Sequence, residues 1–127
     1  MYERWNSYSR IVAMPSYIQF PTMWGASPKL PSDARVSEID LNIDDMAGTA
    51  MFHYDGTRDS ISFLQYDLVN LAYRLPGIHK SAVIGVGGGR DLMSAHLLGV
   101  SDITGVELNP IFIELPPASL FIRHFAI

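Results

Sequence analysis

The sequence predicts an α/β protein in which a small antiparallel β unit precedes the first βαβ unit of a truncated, Rossmann-like parallel sheet. Two observations predict this order. Near residue 58 the apolar spacing changes from the alternation typical of strands to the three- and four-residue spacing typical of helices. Over residues 82–89 an apolar run passes directly into a glycine cluster, and a helix-like segment follows. The chain is therefore divided into an N-terminal β unit, residues 1–58, and a connecting helix with the start of a nucleotide-binding domain, residues 59–127.

The N-terminal unit is predicted from short stretches in which apolar and polar residues alternate. Pro15 and Pro21 interrupt the first two stretches, and the turn pair Asp55-Gly56 closes the last one. Strands are predicted over residues 10–14, 17–20, 35–43 and 51–54.

Helical spacing begins after residue 60. Five apolar side chains fall on one helical face: Ile61, Leu64, Leu68, Leu71 and Leu75. Since Pro76-Gly77 stops this pattern, a helix is predicted over residues 61–75. The remaining pattern predicts a strand over 82–86, a glycine turn, a helix over 91–98 and a strand over 103–106, which is the order of a βαβ unit.

The glycine turn is the strongest indication of function. Its members are Gly85, Gly87, Gly88 and Gly89. Glycine lets the backbone approach a ligand closely, and the start of the following helix supplies free N–H groups and partial positive charge. Glu107 ends the next predicted strand, where an acidic side chain accepts hydrogen bonds from ribose hydroxyls. These residues together predict a site for a nucleotide-like ligand.

Charged residues beside the turn have two interpretations each. Asp91 either complements the helix dipole or contacts the ligand. Arg90 is either a solvated surface charge or the partner of a carboxylate. The large aromatic residues Trp5, Tyr8 and Trp24 are expected to pack the N-terminal unit or to line a substrate entrance.

Composition excludes several classes of function. The net charge of −4 argues against a nucleic-acid-binding surface, which is normally basic. The absence of cysteine excludes disulfides and thiolate metal sites, and the four histidines are too scattered to predict a metal site. Because no signal peptide and no uncharged apolar run of about 18 residues is found, a cytoplasmic protein without a membrane span is expected.

The end of the chain predicts a fragment. Each further βα unit of a doubly wound sheet takes roughly 30 residues, and only seventeen follow Pro110. The chain is therefore expected to belong to a longer protein, or to carry a tail altered by truncation or frameshift. With the apolar tail over residues 120–127 unshielded, it is expected to be marginally stable or self-associating.

Three motifs give the chain a family resemblance. They are Gly85-x-Gly87-x-Gly89, Val106-Glu107-Leu108-Asn109, and Gln65-Tyr66-Asp67 on the helix before the turn. With these motifs, residues 2–110 resemble the spermidine synthase (polyamine aminopropyltransferase) family within the class I S-adenosylmethionine-dependent methyltransferase fold.

The resemblance implies roles for particular residues. Gly85, Gly87 and Gly89 would pass under the methionine moiety of S-adenosylmethionine or decarboxylated S-adenosylmethionine, and Glu107 would hold the ribose. Gln65-Tyr66-Asp67, which stands where the family has Tyr-His-Glu, would contact the substrate. Gly88 stands where the family has an aspartate. The family's catalytic aspartate follows a later strand, so the catalytic residues are expected beyond the end of this chain.

The function implied by the resemblance is transfer of an aminopropyl group to a polyamine or another amine. Three alternatives stay open: methyl transfer from S-adenosylmethionine, a binding module without catalysis, and an NAD-type dehydrogenase domain, which the glycine spacing disfavours. Assembly into a homo-oligomer is compatible with each of them.

Overall fold

A computed structural model describes residues 1–115 of the chain. The elements in order are β1 (Tyr2–Trp5), β2 (Arg10–Ala13), β3 (Tyr17–Gln19), β4 (Val36–Ile43), β5 (Ala47–Phe52), a first 3-10 helix (Asp59–Tyr66), a second 3-10 helix (Leu68–Arg74), β6 (Lys80–Ile84), α1 (Arg90–Leu97), β7 (Asp102–Val106) and α2 (Pro110–Glu114). The strands form a five-stranded antiparallel sheet and a parallel pair, which confirms the predicted order of an antiparallel unit before a parallel one. The tail over residues 120–127 lies outside the described residues.

Strand β4 organises the antiparallel sheet. One of its edges pairs with β3 and then β2, while β5 covers the other edge along residues 38–43. The β4–β5 hairpin turns at Asp44 and Asp45, which have φ angles of 53° and 57°. Aspartate tolerates this left-handed region better than most residues because its short side chain bonds locally. The acidic residues here therefore form the hairpin turn.

Several element bounds differ from the prediction. Strand β5 begins four residues before the predicted strand over 51–54, and β6 lies two residues before the predicted strand over 82–86. Strand β1 was not predicted, because its apolar and polar residues do not alternate. Three of its four residues are exposed, so no buried face imposes such an alternation. Helix α2 was not predicted either, although Asn109 and Pro110 form a recognisable helix start: the Asn109 side chain accepts a hydrogen bond from the Ile111 N–H at 3.1 Å.

The continuous helix predicted over residues 61–75 is wrong. Two 3-10 helices occupy this stretch, separated by Asp67 in an extended conformation (φ −87°, ψ 136°). The segment around Gly25 causes the break, since Leu68 N–H donates to the Gly25 carbonyl at 2.9 Å and Ser27 N–H donates to the Tyr66 carbonyl at 2.8 Å. These contacts with a distant part of the chain replace the hydrogen bonds that a single helix would make.

The parallel pair has one buried and one exposed face. Val83 of β6 and Ile103 of β7 point into the core, whereas Ile84 and Val106, which are partners in the register, are exposed. Helix α1 connects the two strands and buries Leu92 and Met93. This is the strand–helix–strand unit that the sequence predicted.

A single apolar core joins the two sheets. One cluster of buried side chains contains Ile11 and Leu41 from the antiparallel sheet and Leu92 and Ile103 from the parallel unit. Three aromatic residues near the N-terminus do not belong to it. Trp5, Tyr8 and Trp24 are all exposed, so the prediction that they pack the N-terminal unit is wrong.

Candidate functional site

The glycine turn adopts the backbone that its sequence requires. Gly85, Gly87 and Gly89 have φ angles of 78°, 52° and 81°, a region that favours glycine. The turn is anchored at both ends, because Gly85 N–H donates to the Val106 carbonyl at 2.8 Å and Gly89 N–H donates to the Val86 carbonyl at 2.9 Å. Gly89 is the residue immediately before α1, so the turn leads directly into the helix start.

At position 88 a steric constraint, rather than a positive φ angle, requires glycine. Its φ lies outside the positive region, but a Cβ at this position would overlap the Ala50 carbonyl, with the carbonyl carbon at only 2.8 Å and the Met51 Cα at 3.2 Å. The turn therefore packs directly on the backbone of β5. At Gly88 the close approach is to the protein itself, and an aspartate would not fit there without a shift of the turn.

Glu107 contacts the glycine turn directly. Its carboxylate accepts one hydrogen bond from Gly87 N–H and another from Asn109 N–H, both at 2.9 Å and each on a different oxygen. An ionised carboxylate has about four acceptor positions, so each oxygen keeps capacity for a further donor. The structure thus brings together the two features that the sequence paired across twenty residues.

Asp91 lies in the first turn of α1 and is half-buried. Burial raises the pKa of its carboxyl; nearby Arg90 lowers that pKa, and the negative charge of Asp67 raises it. Burial raises the pKa of the Tyr73 hydroxyl, and the negative charge of Asp91 raises it further. Asp91 therefore lies on the side of α1 that faces the second 3-10 helix.

Gln65, Tyr66 and Asp67 line one groove of about 720 Å³. Asp67 is buried, and its Oδ1 accepts hydrogen bonds from Gly25 N–H at 3.3 Å and Val69 N–H at 3.5 Å. Lys29 and Arg74 line the same groove, so its charged lining is mostly basic. None of the turn glycines is among the residues that line this groove.

Arg90 connects the groove to the turn. It follows Gly89, its side chain is buried, and its Nη1 lies 3.9 Å from Asp67 Oδ2. The carboxylate interpretation of Arg90 is therefore the correct one of the two drawn from the sequence. The sequence does not indicate that Asp67 is the partner of Arg90. The two residues are 23 positions apart and meet only through the packing of α1 against the 3-10 helices.

A second cavity, of about 630 Å³, opens on one face of the antiparallel sheet. Arg90 and Trp24 belong to its wall, and Ala50, which contacts Gly88, belongs to its floor. Of the residues that line this cavity, the sequence singled out Trp24, as a candidate for a substrate entrance, and Arg90, as a candidate partner of a carboxylate. The cavity depends on strand register, which single residues do not reveal.

Comparisons of the chain with protein-family models, with curated proteins and with solved structures found no match. Within residues 1–115, no helix has the length and apolar character needed to cross a membrane. The same residues contain no group of three or more histidine, aspartate or glutamate side chains suited to a metal ion.

Proposed function

We propose that the chain binds S-adenosylmethionine or its decarboxylated form at the glycine turn and serves an alkyl transferase of the spermidine synthase type. One observation carries this proposal: the Glu107 carboxylate is hydrogen-bonded to Gly87 in the turn between β6 and α1. A ribose acceptor and a bare-backbone turn at a helix start are the two parts of a nucleoside site in Rossmann-like folds. The proposal includes that the parallel pair β6–β7 is part of a Rossmann-like fold.

The hydrogen bonding of Glu107 supports a ribose partner. Each carboxylate oxygen already has one backbone donor, and each retains capacity for one hydroxyl. The backbone contacts fix the carboxylate beside the turn, so little side-chain freedom is lost on binding. A diol would then satisfy both oxygens without displacing the contacts that hold the turn.

The reaction requires a donor and an amine held in line. The decarboxylated cofactor would deliver an aminopropyl group to an unprotonated amine, and alignment supplies much of the rate acceleration. Asp91 is half-buried in the first turn of α1, and its ionised carboxylate would favour the more cationic decarboxylated donor. Gln65, Tyr66 and Asp67 are the residues of this chain proposed for the acceptor.

Methyl transfer is the second candidate, and the charge of the groove favours it. Lys29 and Arg74 flank the groove that holds Gln65, Tyr66 and Asp67. Two basic side chains repel a polycation such as a polyamine, whereas they tolerate a neutral or acidic acceptor. A binding module without catalysis is the third candidate.

Isothermal titration calorimetry of the 127-residue chain with S-adenosylmethionine, decarboxylated S-adenosylmethionine and NAD tests the binding step. We expect heat with at least one sulfonium compound and none with NAD. Binding of NAD alone, or of none of the three, would contradict the proposal. Mass spectrometry of the products then separates the two transfer reactions: methylthioadenosine indicates aminopropyl transfer, and S-adenosylhomocysteine indicates methyl transfer.

The substitution Glu107→Ala tests the assigned ribose acceptor. It should weaken cofactor binding by about 1–3 kcal/mol through the loss of hydrogen bonds to a charged acceptor. Glu114→Gln is the matched control, because Glu114 is exposed and pairs with Arg4 away from the turn. A thermal melt of each variant verifies folding. Unchanged affinity in a folded Glu107→Ala variant would show that the acceptor is misassigned.

A further inference from the structure

The cavity on the antiparallel sheet has a floor built by strand register. Val12, Asn42 and Gly48 form one row across β2, β4 and β5, since Asn42 is the partner of both Val12 and Gly48. Asp40 and Ala50 form the next row on the same face. Because β5 contributes glycine and alanine, the smallest residues, the floor is recessed and leaves about 630 Å³ of space.

The walls of this cavity are mostly apolar. Met14, Met23 and Trp24 line it together with Thr22 and the Arg90 side chain from the start of α1. Ligand sites for small molecules typically measure about 300–1,000 Å³ and combine apolar walls with a few polar groups. The cavity has the size and composition of such a site.

Missing hydrogen bonds, rather than missing counter-charge, single out one charged side chain in the cavity. Arg10 pairs with Asp45 at 2.7 Å and with Glu3 at 2.9 Å, and Asp40 accepts a hydrogen bond from the Tyr17 hydroxyl. The remaining charged residue of the lining is Arg90.

The guanidinium of Arg90 is buried with few hydrogen bonds. Its Nη2 donates to the Thr22 carbonyl at 3.3 Å, and the 3.9 Å separation of Nη1 from Asp67 Oδ2 is too long for a hydrogen bond. Among the atoms of residues 1–115, Nε and Nη1 find no hydrogen-bond partner. Burying a charged donor without partners is costly, and Asp67 balances the charge without completing the hydrogen bonds.

Two aromatic rings contact the same guanidinium. Its Cζ lies 5.6 Å from the centre of the Phe52 ring and 6.0 Å from the centre of the Trp24 ring. Phe52 is buried, whereas Trp24 is 78% exposed and is therefore the movable one of the two. A turn of the Trp24 side chain would open a path from the cavity to Nε and Nη1.

We propose that this cavity binds a small organic acid with a flat apolar body and one carboxylate. The carboxylate accepts hydrogen bonds from the Arg90 guanidinium, which favours planar anions. The body lies among Met14, Met23 and Trp24 over the recessed floor. Asp67 approaches the guanidinium from outside this cavity, since it lines the other groove. The site is distinct from the glycine turn and does not depend on nucleotide binding there.

A matched pair of probes tests the proposal by calorimetry on the 127-residue chain. The acid 2-naphthoate and the amide 2-naphthamide share one flat apolar body and differ in charge. Since hydrogen bonds to a charged acceptor are stronger than those to a neutral one, naphthoate should bind roughly tenfold more tightly or better. Equal affinity of the two probes, or binding of neither, would overturn the proposal.

Variants assign the preference to Arg90. Arg90→Met should bind both probes equally, and the double variant Asp67→Asn with Arg90→Met repeats the test without an unpaired buried carboxylate if the single variant does not fold. Arg35→Met is the matched control, because Arg35 is exposed and does not line the cavity. A preference for naphthoate that survives in the folded double variant would contradict the assignment.

The same titrations separate this proposal from that of the glycine turn. Naphthoate should bind Glu107→Ala as tightly as it binds the unaltered chain, because Glu107 is not part of the cavity. Loss of naphthoate binding in a folded Glu107→Ala variant would show that the probe occupies the turn and would overturn the cavity proposal. Failure of the sulfonium compounds to bind would overturn only the function proposed for the turn.

Discussion

The antiparallel sheet and the parallel pair bury their strands to different degrees. In the antiparallel sheet, β4 has hydrogen-bonded neighbours on both edges, and its most buried residues, Glu38 and Leu41, are each 1% exposed. In the parallel pair, each strand has one strand partner among residues 1–115. Its inner face is buried, but Ile84 on the outer face is 85% exposed.

The two sheets are stabilised by burial of different faces. Antiparallel sheets commonly face the core on one side, whereas parallel sheets are usually covered on both sides. The outer face of β6 and β7 nevertheless carries Ile84 and Val106, residues typical of a covered parallel strand. The parallel unit is therefore held by its inner face and by the contact of the glycine turn with β5.

Truncation of the inner face should have the largest effect. Leu92 of α1 is fully buried in the shared core, so Leu92→Ala should reduce the free energy of unfolding by about 3–4 kcal/mol. Ile84→Ala removes a similar side chain from the outer face and should cost less than about 0.5 kcal/mol. Urea denaturation measures both. Similar losses for the two variants would mean that the outer face is covered in solution.

Disruption of the contact between the glycine turn and β5 should cause the second-largest loss of stability. Gly88→Ala places a Cβ against the Ala50 carbonyl and should reduce the free energy of unfolding by about 3 kcal/mol through overpacking. Gly85→Ala is the control: the left-handed φ of 78° costs roughly 1–2 kcal/mol, and no described atom lies within 4 Å of the added Cβ. If Gly88→Ala is the milder of the two by denaturation, the turn does not pack on β5 as described.

The hairpin of the antiparallel sheet should show a smaller, purely local effect. Asp45 has a φ of 57°, so Asp45→Gly should be more stable than Asp45→Ala by about 1 kcal/mol. Both variants lose the ion pair with Arg10, which makes the comparison one of backbone conformation alone. Thermal denaturation of the two variants measures the difference, and equal stability would place Asp45 outside the left-handed region.

Substitution of Asp91 should have the smallest effect on stability, and the effect should depend on pH. Its folded-state pKa is raised above the ordinary value of 3.8, so the folded protein binds the proton more tightly than the unfolded chain. The free energy of unfolding contributed by this group therefore falls as the pH rises from about the ordinary value through the raised one. Asp91→Asn should abolish this decrease with pH, so the variant should have a larger free energy of unfolding than the unaltered chain at neutral pH. A gain only at acidic pH would contradict the raised pKa.

Local patterns were sufficient for much of the secondary structure. The alternation over residues 35–43 predicted β4 to within one residue, and the glycine turn predicted the start of α1 to within one residue. Such features depend on side-chain spacing and on the conformational freedom of glycine, which act within a few residues. The prediction that Glu107 and the turn belong together also rested on their order along the chain.

Tertiary contacts decided what the local pattern did not contain. The leucines at 68, 71 and 75 continue a helical face, yet all three are exposed because hydrogen bonds from the segment around Gly25 break the helix at Asp67. Trp24 was predicted to pack the N-terminal unit or to line a substrate entrance, but its side chain is exposed and its ring contacts the buried Arg90 guanidinium. In both places a partner distant in sequence determines the conformation.

Apolar spacing and glycine content act locally, so they were sufficient to predict an antiparallel unit before a strand–helix–strand unit and a glycine turn at the start of α1. The packing of Gly88 on Ala50, the burial of Arg90 beside Asp67 and the cavity over Gly48 arise from tertiary contacts. Those facts depend on strand register and on the packing of α1 against β5 and the 3-10 helices. Close packing and burial are properties of residues that meet from distant positions, and they cannot be assigned to any single stretch of the chain.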